Sequence, residues 1–126
     1  MVNGKIIPIK DTQGREIGGF SFNPADADLP KRIIKLKREL PDITRPLYQL
    51  RHIRQDGTAD GKDAAILLDT EARLFAAVDS AFGAGAAEGI FQKVKPFAVV
   101  SGGREFYCSI LARLCEVALE NIVEGE

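Results

Sequence analysis

A chain of 126 residues, 45% of them hydrophobic and 28% charged, has the composition of a globular domain and not of a disordered segment. Its net charge of −1 sets up no global attraction to nucleic acid or anionic lipid. No apolar run approaches the ~20 residues that a membrane-spanning helix needs. The opening MVNGKIIPIK lacks the apolar stretch of a secretory signal, so a cytoplasmic location is expected.

Along the chain, KIIPIK, DTQGRE and IGGFSF read as two strands around a turn, with Asp11 and Gly14 supplying the turn chemistry. Pro8 cannot donate to a ladder, which makes the first strand an edge strand. Ile6, Ile17, Phe20 and Phe22 are the expected contacts between this hairpin and the rest. Asn23-Pro24 ends the extended part. Asp28 is then a credible N-cap, with Pro30 tolerated in the first turn. Leu29, Ile33, Leu36 and Leu40 follow at helical spacing, and Lys31, Arg32, Lys35, Lys37 and Arg38 occupy the other faces. This helix is expected to stop near Pro41. A second helical segment is expected from Asp42 or Thr44, with Pro46 near its start and Leu47, Leu50 and Ile53 on one face.

The loop RQDGTADGKD breaks that pattern. The strongest periodicity then runs over residues 62–82, where Leu67, Leu74, Phe75, Val78 and Phe82 form a stripe interrupted by Glu71. A last helix is expected over residues 104–122. Tyr107, Ile110, Leu111, Leu114, Ala118 and Ile122 form its core face, with Cys108 and Cys115 beside them. VKPFAVVSGG before it reads as a short helix plus loop, or as a short strand over residues 97–100. The expected fold is α+β and mainly helical. One domain spans residues 1–126, with a β-hairpin over 1–23 and three to four helices over 26–122.

The chemistry-bearing residues form no complete site. In DGTADGKD, Gly57, Gly61 and Lys62 are spaced one residue too closely for a phosphate loop, and Asp63 stands where a hydroxyl residue belongs. Read as a calcium loop, Asp56, Thr58, Asp60 and Gly61 fit, but the twelfth position is Leu67 and not a bidentate Glu. A solvated loop is the better reading. His52, between Arg51 and Arg54, has no local nucleophile or carboxylate orienter, and Ser101-Gly102-Gly103 is not a nucleophile elbow. The basic run KRIIKLKR surrounds an apolar stripe and has no aromatic interleaving, as in a solvated amphipathic helix. Cys108 and Cys115 share one helix face about 10.5 Å apart, beyond disulfide reach, and are expected to be buried thiols. The chain is therefore read as non-enzymatic, with no catalytic residue, no cofactor, no metal and no nucleic-acid or membrane partner.

AFGAGAAEGIF is the least ordinary stretch. It is not a dinucleotide fingerprint, because helix and not strand precedes it. Gly83 is placed to end the preceding helix with a positive φ, and small-residue helix can follow, anchored by Ile90 and Phe91. Gly85 and Gly89 are expected to be milder positions than Gly83 if they only permit close approach. The simplest reading is a close-packed elbow between helices.

Two segments, FNPADADLPKRI (22–33) and VDSAFGAGAAEGIF (78–91), resemble phrases in a group of small proteins encoded among the tail genes of phages of Gram-positive bacteria. They stand in the same order as in that group, although this chain departs from its pattern with a short middle and a full final helix. The resemblance implies a tail assembly chaperone that shields the hydrophobic, helix-rich tape-measure protein until tube subunits polymerise around it. The alternative is a structural tail completion or connector component of the virion, assembled as a ring. A host regulatory or enzymatic domain ranks third. Such a chaperone needs an exposed apolar surface for amphipathic helices of its client. Phe82, Ile90, Phe91 and Phe97 are the expected partner-binding residues, in an apolar region that also includes Val99 and Val100.

Overall fold

The structure, a computed structural model, describes residues 5–11, 13–23, 25–50, 53–98 and 106–120. Strands β1 (Lys5–Lys10) and β2 (Glu16–Phe22) form an antiparallel hairpin. The turn is organised by Asp11. One carboxylate oxygen accepts the backbone N–H groups of Gln13 and Arg15, both at 2.9 Å, and the other accepts Arg15 Nε at 3.0 Å. Gly14 takes a φ of 82° there, a conformation that glycine adopts without strain. The register pairs Ile7 with Phe20 and Ile9 with Gly18, and paired residues share a face of the sheet. Phe20, Phe22 and Ile9 are consequently buried, with Ile17 packed at the edge of the core. Ile6 pairs with Ser21 on the opposite face and is 74% exposed, so it does not contribute the expected contact; Ile9 does.

Helix α1 spans Leu29–Thr44. Asp26 prepares its start: its side chain accepts the Asp28 N–H at 3.0 Å, and its carbonyl accepts the Leu29 N–H at 3.2 Å. Asp28 stands at the N-cap, but its side chain makes no capping hydrogen bond. The expected stop at Pro41 is not observed. The helix runs through that residue for another turn, then tightens into a 3-10 segment, Arg45–Gln49, with Pro46 at its start. Packing overrides the local signal, because Leu40, Ile43 and Thr44 continue the inward stripe begun by Leu29, Ile33 and Leu36. Thr44 also donates its hydroxyl to the Leu40 carbonyl at 2.9 Å. Leu47 and Leu50 pack against the core, whereas Ile53 lies beyond the helix and is exposed.

Helix α2, Gly61–Phe82, matches its expected span, and Leu67, Leu74, Val78 and Phe82 are buried along it. Thr70 also enters the core, with its hydroxyl satisfied by the Ile66 carbonyl at 2.8 Å. Gly83 ends α2 with φ 120° and ψ 160°, a region essentially restricted to glycine, while its N–H closes the last helical bond to Asp79 at 2.7 Å. The short helix α3, Ala86–Ile90, follows; the Asp79 side chain reaches its Ala87 N–H at 2.8 Å. Helix α4, Phe106–Glu120, lies within the expected 104–122 span, whose outer residues fall outside the described ones. Its first N–H groups are taken up by upstream carbonyls, Phe106 to Ala98 and Tyr107 to Pro96, both at 2.8 Å. Residues 96–98 form a turn and an irregular continuation, with no strand; Val99 and Val100 lie outside the described residues.

One hydrophobic cluster draws on the hairpin, all four helices and Phe97. The architecture is α+β and mainly helical, with an N-terminal hairpin on four α-helices among the described residues. None of the described helices is long and apolar enough to cross a membrane.

Candidate functional site: a groove between helices α1 and α4

The residues expected to receive a partner are core residues. Phe82 and Phe91 are 8% exposed, Phe97 is 1% and Ile90 is fully buried. Their rings interlock: Phe82 meets Phe20 edge-on at 4.9 Å, Phe91 stacks on Phe75 at 5.4 Å and meets Phe106 at 5.8 Å, and Phe97 meets Tyr107 at 5.5 Å. The surplus of apolar residues in this region is absorbed by helix α4 and the hairpin, which cover it. These four side chains therefore offer no surface to a partner.

The two sequence segments that stand out, 22–33 and 78–91, form one joint in space. Arg32 of α1 donates from Nε to the Ala81 carbonyl at the end of α2, at 3.0 Å, and pairs with Asp26 through its other arm. Phe22 stacks on Phe20, which in turn contacts Phe82. Glycines complete the joint. A β-carbon on Gly18 would stand 2.6 Å from the Gly89 carbonyl oxygen, and one on Gly89 would stand 2.7 Å from the Gly19 carbonyl oxygen. Helix α3 thus lies on strand β2 at a distance that only glycine permits. Gly85 takes a left-handed φ of 84°, so it does more than permit close approach, whereas Gly89 is held by close approach to β2 alone.

The acidic loop is a folded turn. Asp56 accepts the Thr58 hydroxyl at 2.6 Å and the Thr58 N–H at 3.1 Å, and these bonds hold its carboxyl below the usual carboxylate range. Arg54 pairs with Asp60, and buried Gly57 abuts the backbone of residues 97–98. Among the described residues no group of three or more His, Cys, Asp or Glu is placed to hold a metal. His52, Arg51 and the Ser101-Gly102-Gly103 segment lie outside the described residues.

An open apolar surface lies elsewhere. Helix α1, its 3-10 continuation and helix α4 border a groove of about 430 Å3. Lys37, Pro41, Thr44 and Tyr48 line one wall; Cys108, Ala112 and Cys115 line the other. Both sets alternate steps of four and three residues, which holds a stripe on one face of a helix. The same alternation reaches back to Ile34 on α1 and forward to Leu119 on α4. Ile34 is 56% exposed, Tyr48 89% and Leu119 40%, so the stripes are open at their ends, while buried Thr44 and Cys115 lie on the floor between them. Pro41 shapes this wall twice, since it adds apolar surface and offers no N–H to the Lys37 carbonyl one turn below.

The cysteines do share one face, as expected, but only Cys115 is buried; Cys108 is exposed in the groove wall, and both thiols are free. Burial pushes the Cys115 thiol up from its ordinary value, partly offset by nearby Lys37. On the other side of α4, a second groove of about 470 Å3 runs along β1 and the hairpin turn. Its walls include Lys10, Asp11 and Arg113, and Asp11 is committed to the turn, so it is a poorer seat for apolar side chains. The α1–α4 groove was legible in the sequence only as the seven-residue spacing of Ile34, Pro41 and Tyr48, outside the stronger core stripe. Comparison with protein-family models, with curated proteins and with solved structures returns no match for this chain.

Proposed function

We propose that this protein is a non-enzymatic tail assembly chaperone of a phage or prophage, and that it holds a hydrophobic helical segment of a tape-measure protein in the host cytoplasm. The observation that carries this reading is the open, mainly apolar groove between α1 and α4, whose two walls carry lining residues at four-three spacing. An amphipathic helix presents its apolar residues at that same spacing, so its side chains can seat between the two walls as a third strand of the packing. The resemblance of residues 22–33 and 78–91 to tail-gene proteins supplies the client class. In this reading those segments build the joint that holds the groove's supporting helices, and the groove itself carries the binding.

Co-expression with a tape-measure fragment tests the proposal. The wild-type chain is expected to co-purify with the fragment, and Ala112→Arg, at an exposed groove position, to abolish this while leaving the thermal midpoint unchanged. Ala72→Arg, on the exposed side of α2, is expected to bind as wild type does. Retention of the fragment by a folded Ala112→Arg variant would reject the groove. Recovery of the protein in stoichiometric amounts from purified virions would favour the tail completion role instead.

A further inference from the structure

The two lips of the α1–α4 groove carry opposite charge. On α1, Lys37 lines the groove and Arg38 follows on its outer rim, both exposed. Neither has an ion-pair partner among the described residues: Arg32 is taken by Asp26, Arg45 by Asp42, Arg15 by Asp11, Arg54 by Asp60 and Arg73 by Asp69. On α4, exposed Glu116 follows Cys115 and Ala112 at the outer rim. Glu116 stands one helical turn after Ala112 and next to Cys115, both of which line the groove, and Lys37 stands one turn before Pro41 on the facing wall, so one charge of each kind flanks the groove.

Helices that pack side by side select their partners through the charged residues flanking the apolar seam. A positive lip on one wall and a negative lip on the other complement a helix with an acidic flank toward α1 and a basic flank toward α4. We infer that the groove selects an amphipathic helix of this bipolar kind, with acidic residues along one edge of its apolar stripe and basic residues along the other. The inference rests on the proposed helix-binding role of this groove and deepens it, because it states which client segments are accepted and in which direction they lie. Reversing the chain direction of a bound helix exchanges its flanks, so the opposed lips also fix its polarity.

The test uses two synthetic peptides, each about three heptads long with leucines along the seam. One carries Glu on one flank and Lys on the other; the second carries Lys on both. Binding to the full chain is followed by fluorescence anisotropy at low and at high salt. The bipolar peptide is expected to bind wild type about tenfold more tightly than the all-Lys peptide, with the preference shrinking in high salt. In Lys37→Glu/Arg38→Glu, both rims are acidic and the order is expected to invert. Inversion also shows that the variant is folded and binding-competent.

Equal affinities in wild type, or an order unchanged by the double reversal, would overturn the inference. So would a peptide-free dimer at working concentration in which Cys108 is protected from thiol reagents, since a second copy would then occupy the groove. The two readings fail separately. If the tape-measure fragment requires the groove yet ignores the charge reversal, the bipolar inference falls alone. If the peptides show the stated order but no tape-measure fragment binds, the client assignment falls alone.

Discussion

Gly89 shows how a single residue can reverse an expectation. In an isolated helix Gly→Ala stabilises by about 1 kcal/mol, because alanine is the better helix former. Here the new β-carbon would meet the Gly19 carbonyl oxygen at 2.7 Å, a backbone atom that yields only if β2 and α3 separate. Overpacking of this kind costs roughly 1–3 kcal/mol and outweighs the propensity gain. Gly89→Ala is therefore expected to lower the urea midpoint, and Gly18→Ala, facing the Gly89 carbonyl at 2.6 Å, to lower it at least as much. Gly83→Ala meets no atom within 4 Å, so its loss is purely conformational, roughly 1–3 kcal/mol for a side chain forced to φ 120°. A Gly89→Ala protein as stable as wild type would refute the close approach of α3 to β2. Gly83 could be recognised from its place after the apolar stripe of α2. Gly18 and Gly89 could not, because their constraint comes from each other across 71 residues of chain.

Between elements, the joint of hairpin, α1 and α2 turns on Arg32 and Asp26. The Arg32 side chain, more than the Asp28 backbone N–H, holds the Asp26 carboxyl below its ordinary range; at Asp11 the Arg15 backbone N–H contributes most. A carboxylate stabilised in the folded state contributes stability above its unfolded value, about 3.9, and loses it as pH falls through the lower folded value. Stability is therefore expected to be level from neutral pH to about 5 and to fall as acid protonates Asp11, Asp26 and Asp56. Asp26→Asn removes the charge that Arg32 pairs with, so it is expected to lower the midpoint at neutral pH and to flatten the acid limb. Urea titrations at pH 7 and pH 3 check this; an acid limb as steep in Asp26→Asn as in wild type would contradict it. Packing between elements also explains why α1 passes Pro41. A proline signal is local, whereas Leu40, Ile43 and Thr44 are held by packing against the remainder of the core.

Across the whole molecule, core and groove divide the two cysteines of one helix. Cys115 is buried and its thiol pushed up, so it stays protonated and slow toward thiol reagents; exposed Cys108 reacts first. Native labelling at pH 8 is expected to be biphasic, with one fast and one slow thiol, and to collapse to a single fast phase in denaturant. A helical occupant of the groove is expected to slow the fast phase alone, which makes Cys108 a direct reporter of binding. Equal rates for both thiols in the native protein would show that the α4 face is not divided as described. Replacing Phe97 with Ala, by contrast, is expected to cost about 3–5 kcal/mol and unfold much of the protein, as befits a core ring and not a docking residue.

The sequence alone determined the elements whose signals are local and periodic. The Asp11–Gly14 turn is set by its own residues, and the α2 stripe ending at Gly83 and the inward face of α4 repeat at the spacing of a helix, so neighbouring residues suffice to reveal them. Tertiary structure decided which apolar residues were covered. Phe82, Ile90, Phe91 and Phe97 resemble a binding surface in one dimension and become core when α4 and the hairpin close over them. Pro41 and Tyr48 resemble ordinary surface and become a groove wall when α4 stands beside them. Burial depends on what packs opposite, and a residue's partners there are set by the path of the whole chain.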